Sequence, residues 1–419
     1  MLTKKRYLAV LAAATAVTFV LAGCAGGTAS PTTEDGFSTA LPAADTEATI
    51  SIWGYIDDST SQWLADGQAL MAEEFPNVTV NYTYLPYDQI LPKLLATSVS
   101  GGAPDGILYN PADAANLYQS GIAGDLTPFW SEFADASQFP EAVIWKDGDA
   151  VISVQGYLNT TALYYNKTLL DAASIEPPTT IAELDAALEA ITASGSQGLT
   201  MTAVPTAESE FQILPWLLGD GQNYGSWDQA AVETVFTQFR DRITNGYIPQ
   251  DVVGWSQGDA WDKFSGGDFA FTQNGNWQLG KAADLPFEWG VVPLPAGTAG
   301  SFSVGGGEGF SISADSENAA LTWHYFQKLL LEKDGQIKIL EATGSIPVRN
   351  DTASAPEISS DPALSAFAEV VANLKARPST PNISEYLVTM GKIWNAVAGG
   401  TTTPADGAAQ VVEQLSDLQ

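Results

Sequence analysis

The sequence predicts an α/β protein of two lobes, each a mainly parallel sheet flanked by helices, and three observations carry that expectation. Strand-like and helix-like segments alternate along the chain. About 370 residues follow an amino-terminal leader and tether, more than one core usually serves. There is one cysteine in 419 residues, so no disulfide can form within the chain and stability must come from packed apolar cores.

The leader is read first. Lys4, Lys5 and Arg6 form a positive region, Leu8 to Val20 an apolar one, and the run closes at Leu21-Ala22-Gly23-Cys24. The apolar stretch is too short to span a bilayer, which predicts a secretory signal segment. The closing tetrapeptide resembles a bacterial lipoprotein box, which implies cleavage before Cys24 and a lipid on its thiol. Residues 25–46 are rich in Gly, Ala, Ser, Thr and Pro without apolar periodicity and read as a flexible tether.

After the tether, Ala48 to Trp53 alternates and is β-branched, and Gly54 ends it, so it is expected to be the first strand. From Thr60 to Phe75, Trp63, Leu64, Gln68, Leu70, Met71 and Phe75 recur at helical spacing until Pro76-Asn77 stops them. Val78 to Tyr84 alternates again, Gln89 to Ser98 suits a short helix, and Gly106 to Tyr109 a third strand. Strands separated by helical crossovers imply parallel pairing. Thr161 to Tyr165 and Leu199 to Ala203 are strand-like, and Thr180 with Glu183 forms a capping box that opens a helix reaching Ile191. Phe287 to Val292 suits a strand, and Glu317–Leu331, Leu364–Leu374 and Glu385–Val397 suit helices.

Charge and residue inventory exclude several chemistries. Seventeen basic against 49 acidic residues give a net charge of −32, which opposes nucleic-acid binding, where phosphate contacts need clustered Lys and Arg. Gly254-Trp255-Ser256-Gln257-Gly258 fits a nucleophile elbow, but the one histidine, His324, sits in a helical run rather than a mobile loop. Gly275 to Lys281 imitates a phosphate loop yet continues with Ala282, so the Mg²⁺-binding hydroxyl is missing. One His and one Cys assemble no common zinc site, and no cofactor is expected.

Several segments together resemble the sugar-binding class of bacterial ABC-transporter extracellular solute-binding proteins. They are Ile50 to Gly54, Phe75 to Val80, Ala103 to Tyr109, Gly121 to Thr127, Ala162 to Lys167 with Pro177-Pro178, Phe264 to Thr272, Trp289 to Pro295 and Gly344 to Arg349. The resemblance implies a two-lobed periplasmic-binding-protein-like fold, with residues 46–156 and 284–331 in one lobe and 160–282 and 332–419 in the other. It also implies a carbohydrate captured in the hinge cleft, permease subunits as partners, a monomer, and anchorage outside the cytoplasm. A secreted polysaccharide-degrading enzyme, needing only two carboxylates, and a polyamine or peptide binder are the alternatives.

A sugar asks for planar polar groups toward its hydroxyls and aromatic rings toward its C–H faces. By family position and local context, the candidate ligand-binding residues are Trp53, Asp57, Tyr109, Asn110, Asp113, Asn159, Glu210, Phe211, Trp277 and Glu308. Asn159 and Asp113 depart from a well-known sugar-binding member of the family, which has a carboxylate at the first position and a basic residue at the second, so the sugar itself stays open. Trp277 matches the family's Gly-x-Trp segment.

Overall fold

The computed structural model describes residues 36–56, 61–352, 355–375, 377, 380, 382–416 and 418. The signal segment, Cys24 and Asp57 lie outside the described residues. Among those described, no helix is long and apolar enough to cross a membrane.

In chain order the strands are β1 (Ala48–Gly54), β2 (Val78–Tyr84), β3 (Gly106–Tyr109), β4 (Ile144–Asp147), β5 (Ala150–Gln155), β6 (Tyr157–Leu158) and β7 (Thr161–Asn166). They continue with β8 (Gln197–Thr200), β9 (Phe269–Gly275), β10 (Trp289–Val292), β11 (Ser303–Val304), β12 (Gly309–Ile312), β13 (Ile346–Pro347) and β14 (Leu374–Lys375). Six form a sheet in the order β2-β1-β3-β12-β5-β4, and four form a second in the order β10-β7-β9-β8. Each sheet has its own core. Ile50, Ile52, Phe310 and Phe326 belong to the first, and Leu163, Leu199, Phe271 and Trp394 to the second.

The two lobes stand as expected, and the ladders within them are mixed rather than mainly parallel. β1 runs parallel to β2 and β3 through the expected helical crossovers. β12 returns after a long excursion and inserts antiparallel between β3 and β5. In the second sheet, β8 and β9 are parallel, whereas β7 pairs antiparallel with both β9 and β10. β10 therefore belongs with β7, although the boundary at residue 284 put it in the first lobe. Its register sets Val291 opposite Tyr164, and Val291 packs in a cluster with Tyr164 and Trp261. The helix Lys333–Thr343, expected in the second lobe, buries Ile339 in the first-lobe cluster.

The chain passes between the sheets in three places, and these crossings are stitched together. β6 pairs with β13, Asn159 bridges Gly306, and Gln336 Nε2 donates to the carbonyls of Gly156 and Leu330 at 2.8 Å each. Gly307 in the middle crossing has φ 112°, and a Cβ there would stand 2.1 Å from the Tyr157 carbonyl oxygen, so glycine is required. The capping box forms as expected: Thr180 Oγ1 accepts the Glu183 N–H at 3.2 Å and opens the helix Ile181–Ala193.

Candidate functional site

A cavity of about 340 Å³ lies against these crossings, at the carboxyl ends of β1, β2, β3 and β9. That is where an α/β sheet leaves room for a ligand, because the loops rather than the ladders face outward there. The first lobe supplies Tyr55 and Ile56 after β1, Tyr84 at the end of β2, Tyr87 after it, and Asn110 after β3. The second supplies Glu208 and Phe211 from the helix Ala207–Gly219, Ser256 to Gly258, and Trp277, Gln278 and Lys281 after β9. Tyr157, Asn159, Gly306 to Glu308 and Ser345 come from the crossings, and Arg377 from the segment after β14.

Five of the ten expected binding residues meet here: Asn110, Asn159, Phe211, Trp277 and Glu308. Trp277 and Phe211 form one aromatic wall, with ring centroids 6.0 Å apart and planes tilted by 33°. Gly275 permits this, since a Cβ there would come within 1.9 Å of the Trp277 ring. Across from them Tyr55 and Tyr87 meet edge to face at 5.0 Å.

Glu308 is buried and hydrogen-bonded by the hydroxyls of Tyr157 and Tyr55. Burial pushes its carboxyl above the usual range, and those two bonds pull it partly back. Asn159 Nδ2 donates to Glu308 Oε2 at 3.2 Å, while Asn159 Oδ1 accepts from Asn276 Nδ2 at 3.0 Å and from Ser345 Oγ at 3.1 Å. Asn159 thereby ties all three crossings to the cavity floor. Tyr55 is pushed well above the usual range for a phenol by burial first and by the Glu308 charge second.

The structure places the other five differently. Tyr109 is in the core: every residue of β3 is buried, and its hydroxyl pairs with Ser311 Oγ of β12 at 2.8 Å. Trp53 is half-buried beside a first-lobe core cluster, with Lys93 Nζ 4.7 Å from its ring centroid, and lines neither cavity described here. Glu210 is completely buried one turn into its helix and bonds Arg377 at 2.5 Å, so it supports a wall residue instead of facing the cavity. Asp113 lines an adjoining chamber and accepts a hydrogen bond from Ser384 Oγ across the two lobes. Asp57 falls outside the described residues.

Sequence reasoning missed Tyr87, Tyr157, Gln278 and Arg377. The first three flank segments already singled out, but nothing near Arg377 marks it, because its partner lies 167 positions away. Two wall atoms keep no partner among the described residues: Arg377 Nε, a donor, and Gln278 Oε1, an acceptor. Burial alone pulls the Arg377 guanidinium toward losing its proton, and the Glu210 charge outweighs that, so it stays charged. The elbow pattern resolves into a helix start: Ser256 Oγ accepts the Asp259 N–H at 3.1 Å and caps the helix Gln257–Ser265. Among the described residues, no group of three or more His, Cys, Asp or Glu is placed to hold a metal.

The fold has counterparts in known proteins. A binding protein of Brucella abortus (strain 2308) is 22% identical over 355 residues, covering 78% of this chain and 82% of its own. The GacH receptor of Streptomyces glaucescens GLA.O, solved unliganded and with acarbose, superposes with TM-score 0.78 at 22% identity, over 89% of this chain and 99% of that one. Maltose-bound MalE3 of T. maritima gives TM-score 0.78 at 21% identity, over 89% and 100%. These likenesses give the two-lobed fold. The model of the bacterial extracellular solute-binding protein family matches residues 68–366, most of the sequence, and the chain belongs to that family.

Proposed function

We propose that the chain captures a carbohydrate, a mono- or oligosaccharide, by closing its two lobes on it and presents it to the permease subunits of an ABC importer. The observation that carries this reading is the pairing of aromatic rings with polar side chains around one cavity. Trp277 and Phe211 offer flat apolar surface, while Asn110, Ser256, Gln257, Gln278 and Arg377 bring polar side chains to the same lining. A sugar hydroxyl both donates and accepts, and its C–H faces suit aromatic walls. The acarbose of the GacH receptor and the maltose of MalE3 support the same ligand class. The cavity wall also mixes Glu208 and Glu308 with Lys281 and Arg377, which does not favour a polyamine.

The chain works outside the cytoplasm as a monomer, held to the membrane by a lipid on Cys24, and the sequence of the leader supports the anchorage; the tether ends before Phe37 rather than at residue 46, because the Phe37 ring packs 5.6 Å from that of Phe129 and Asn77 Nδ2 donates to the Asp45 carbonyl at 3.1 Å. A thermal-shift screen of the chain without its leader, followed by calorimetric titration, tests the ligand. A ligand that binds the folded state alone raises the melting temperature with RT ln(1 + [L]/Kd). Stabilisation by a sugar, with the sugar recovered unchanged, is the expected result. Sugar cleavage products that scale with protein concentration would make it an enzyme instead.

A further inference from the structure

Beside the main cavity lies a second chamber of about 280 Å³. Tyr55, Tyr87, Asn110 and Ala207 line both, so the two spaces share a wall. Beyond them, Ile90, Leu91 and Pro92 of the helix Tyr87–Ser100 face Leu387 and Val388 of the helix Ile383–Gly399. The first helix packs on the first lobe and the second on the other, so the chamber is assembled where the lobes meet.

The polar side chains around it already have hydrogen-bond partners, in the lining or just behind it. Ser384 Oγ donates to Asp113, and Asn110 Nδ2 donates to the Tyr87 hydroxyl at 3.1 Å. Asn110 Oδ1 takes the Ala112 N–H at 3.1 Å, Thr206 Oγ1 takes the Glu208 N–H at 3.3 Å, and the Tyr55 hydroxyl is bonded to Glu308. A sugar ring moved in here would give up water and find few hydrogen bonds in return, which is costly. A hydrocarbon group held on the side away from Asp113, the one acidic group of the lining, would give up little and gain contact with Ile90, Leu91, Leu387 and Val388.

We propose that this chamber takes a short alkyl or aryl substituent of the ligand while the ligand's sugar lies in the main cavity, so that the preferred ligand is a glycoside with an apolar aglycone. The assignment rests on the carbohydrate reading above. Titrating methyl and hexyl glucosides, galactosides and maltosides into the chain without its leader tests it. The hexyl member of whichever pair binds is expected to bind at least tenfold more tightly than the methyl one. Val388→Trp, which fills the chamber from a half-buried helical position, is expected to erase that gain and leave the methyl glycoside's affinity unchanged. Should that variant fail to fold, Leu91→Gln on the opposite wall is expected to cut the gain at least threefold. Equal affinities within the pair, or a gain untouched by both variants, overturns the chamber's role and leaves the sugar site standing. Failure of every sugar and glycoside to bind overturns both.

Discussion

Arg377 reaches the cavity wall in the grip of Glu210: its Nη2 donates to Glu210 Oε2 at 2.5 Å, and Glu210 itself is completely buried. The same guanidinium donates from Nη1 to the Gly305 carbonyl at 3.1 Å and lies 4.9 Å from the Phe211 ring centroid. A helix, a lobe crossing and a carboxyl-terminal segment are thus joined by one cation. Tyr224 completes the set, its hydroxyl donating to Glu210 Oε1 at 3.1 Å.

Removing one member of this buried pair strands the other. Glu210→Ala is expected to lower stability by about 3–5 kcal/mol, read as a fall in the urea midpoint without ligand. Glu210→Leu combined with Arg377→Met is expected to recover much of that loss. A single variant as stable as the wild type would show that the pair carries no such weight.

Trp277→Ala is expected to weaken sugar binding at least tenfold. Stacking an indole on a sugar face removes some 60 to 80 Å² from water, worth roughly 1.5 to 2 kcal/mol at about 25 cal/mol per Å². Trp277 is half-buried, so the unliganded variant is expected to melt close to the wild type. A large loss of melting temperature in the empty protein would place this ring in the core.

Asp113 gives a pH dependence with a definite sign. Burial raises its carboxyl to about 6, against the opposing pull of the Ser384 hydrogen bond and the Arg377 charge. Because the folded state holds this proton more tightly than the unfolded one, the stability it contributes is full below about pH 4 and lost as pH rises through about 6. The span is worth about 3 kcal/mol. Asp113→Asn is expected to remove that fall. Glu308, raised in the same direction, titrates in both proteins, so the comparison is the difference between them at each pH. Parallel stability curves for the two from pH 4 to 7 would contradict the assignment.

Cys24→Ser is expected to release a folded, ligand-competent protein from the membrane. Durable anchorage takes more than one acyl chain, and serine offers no thiol to carry them. Retention of the variant in the membrane fraction would show another attachment.

Much of the fold was legible because local pattern and final environment agree. β1 and β2 alternate in sequence and pair in register from Ala48 with Val78 to Gly54 with Tyr84. β12 carried no comparable mark: Gly309 to Ile312 is short, and its neighbours β3 and β5 lie more than 150 positions earlier. The site follows the same rule. Trp277 and Glu308 stand beside glycines that set their loops, and those loops were readable. Tyr109 was misplaced because a strand buried on both faces offers no polar side by which to tell core from cleft. Arg377 was missed because only long-range folding brings Glu210 to it.

The three crossings have a consequence for how the molecule can be cut. The first sheet takes β1 to β5 from residues 48–155 and β12 from 309–312, with the whole second sheet, 161–292, threaded between them. No single stretch of sequence therefore encodes the first lobe, and a truncation after residue 155 would leave β3 and β5 without the strand that lies between them. A nick within one crossing is a milder injury, since β6, β13 and the Asn159–Gly306 bridge still bind the fragments. Two pieces split at a crossing should reassemble from solution, whereas pieces split within a sheet should not.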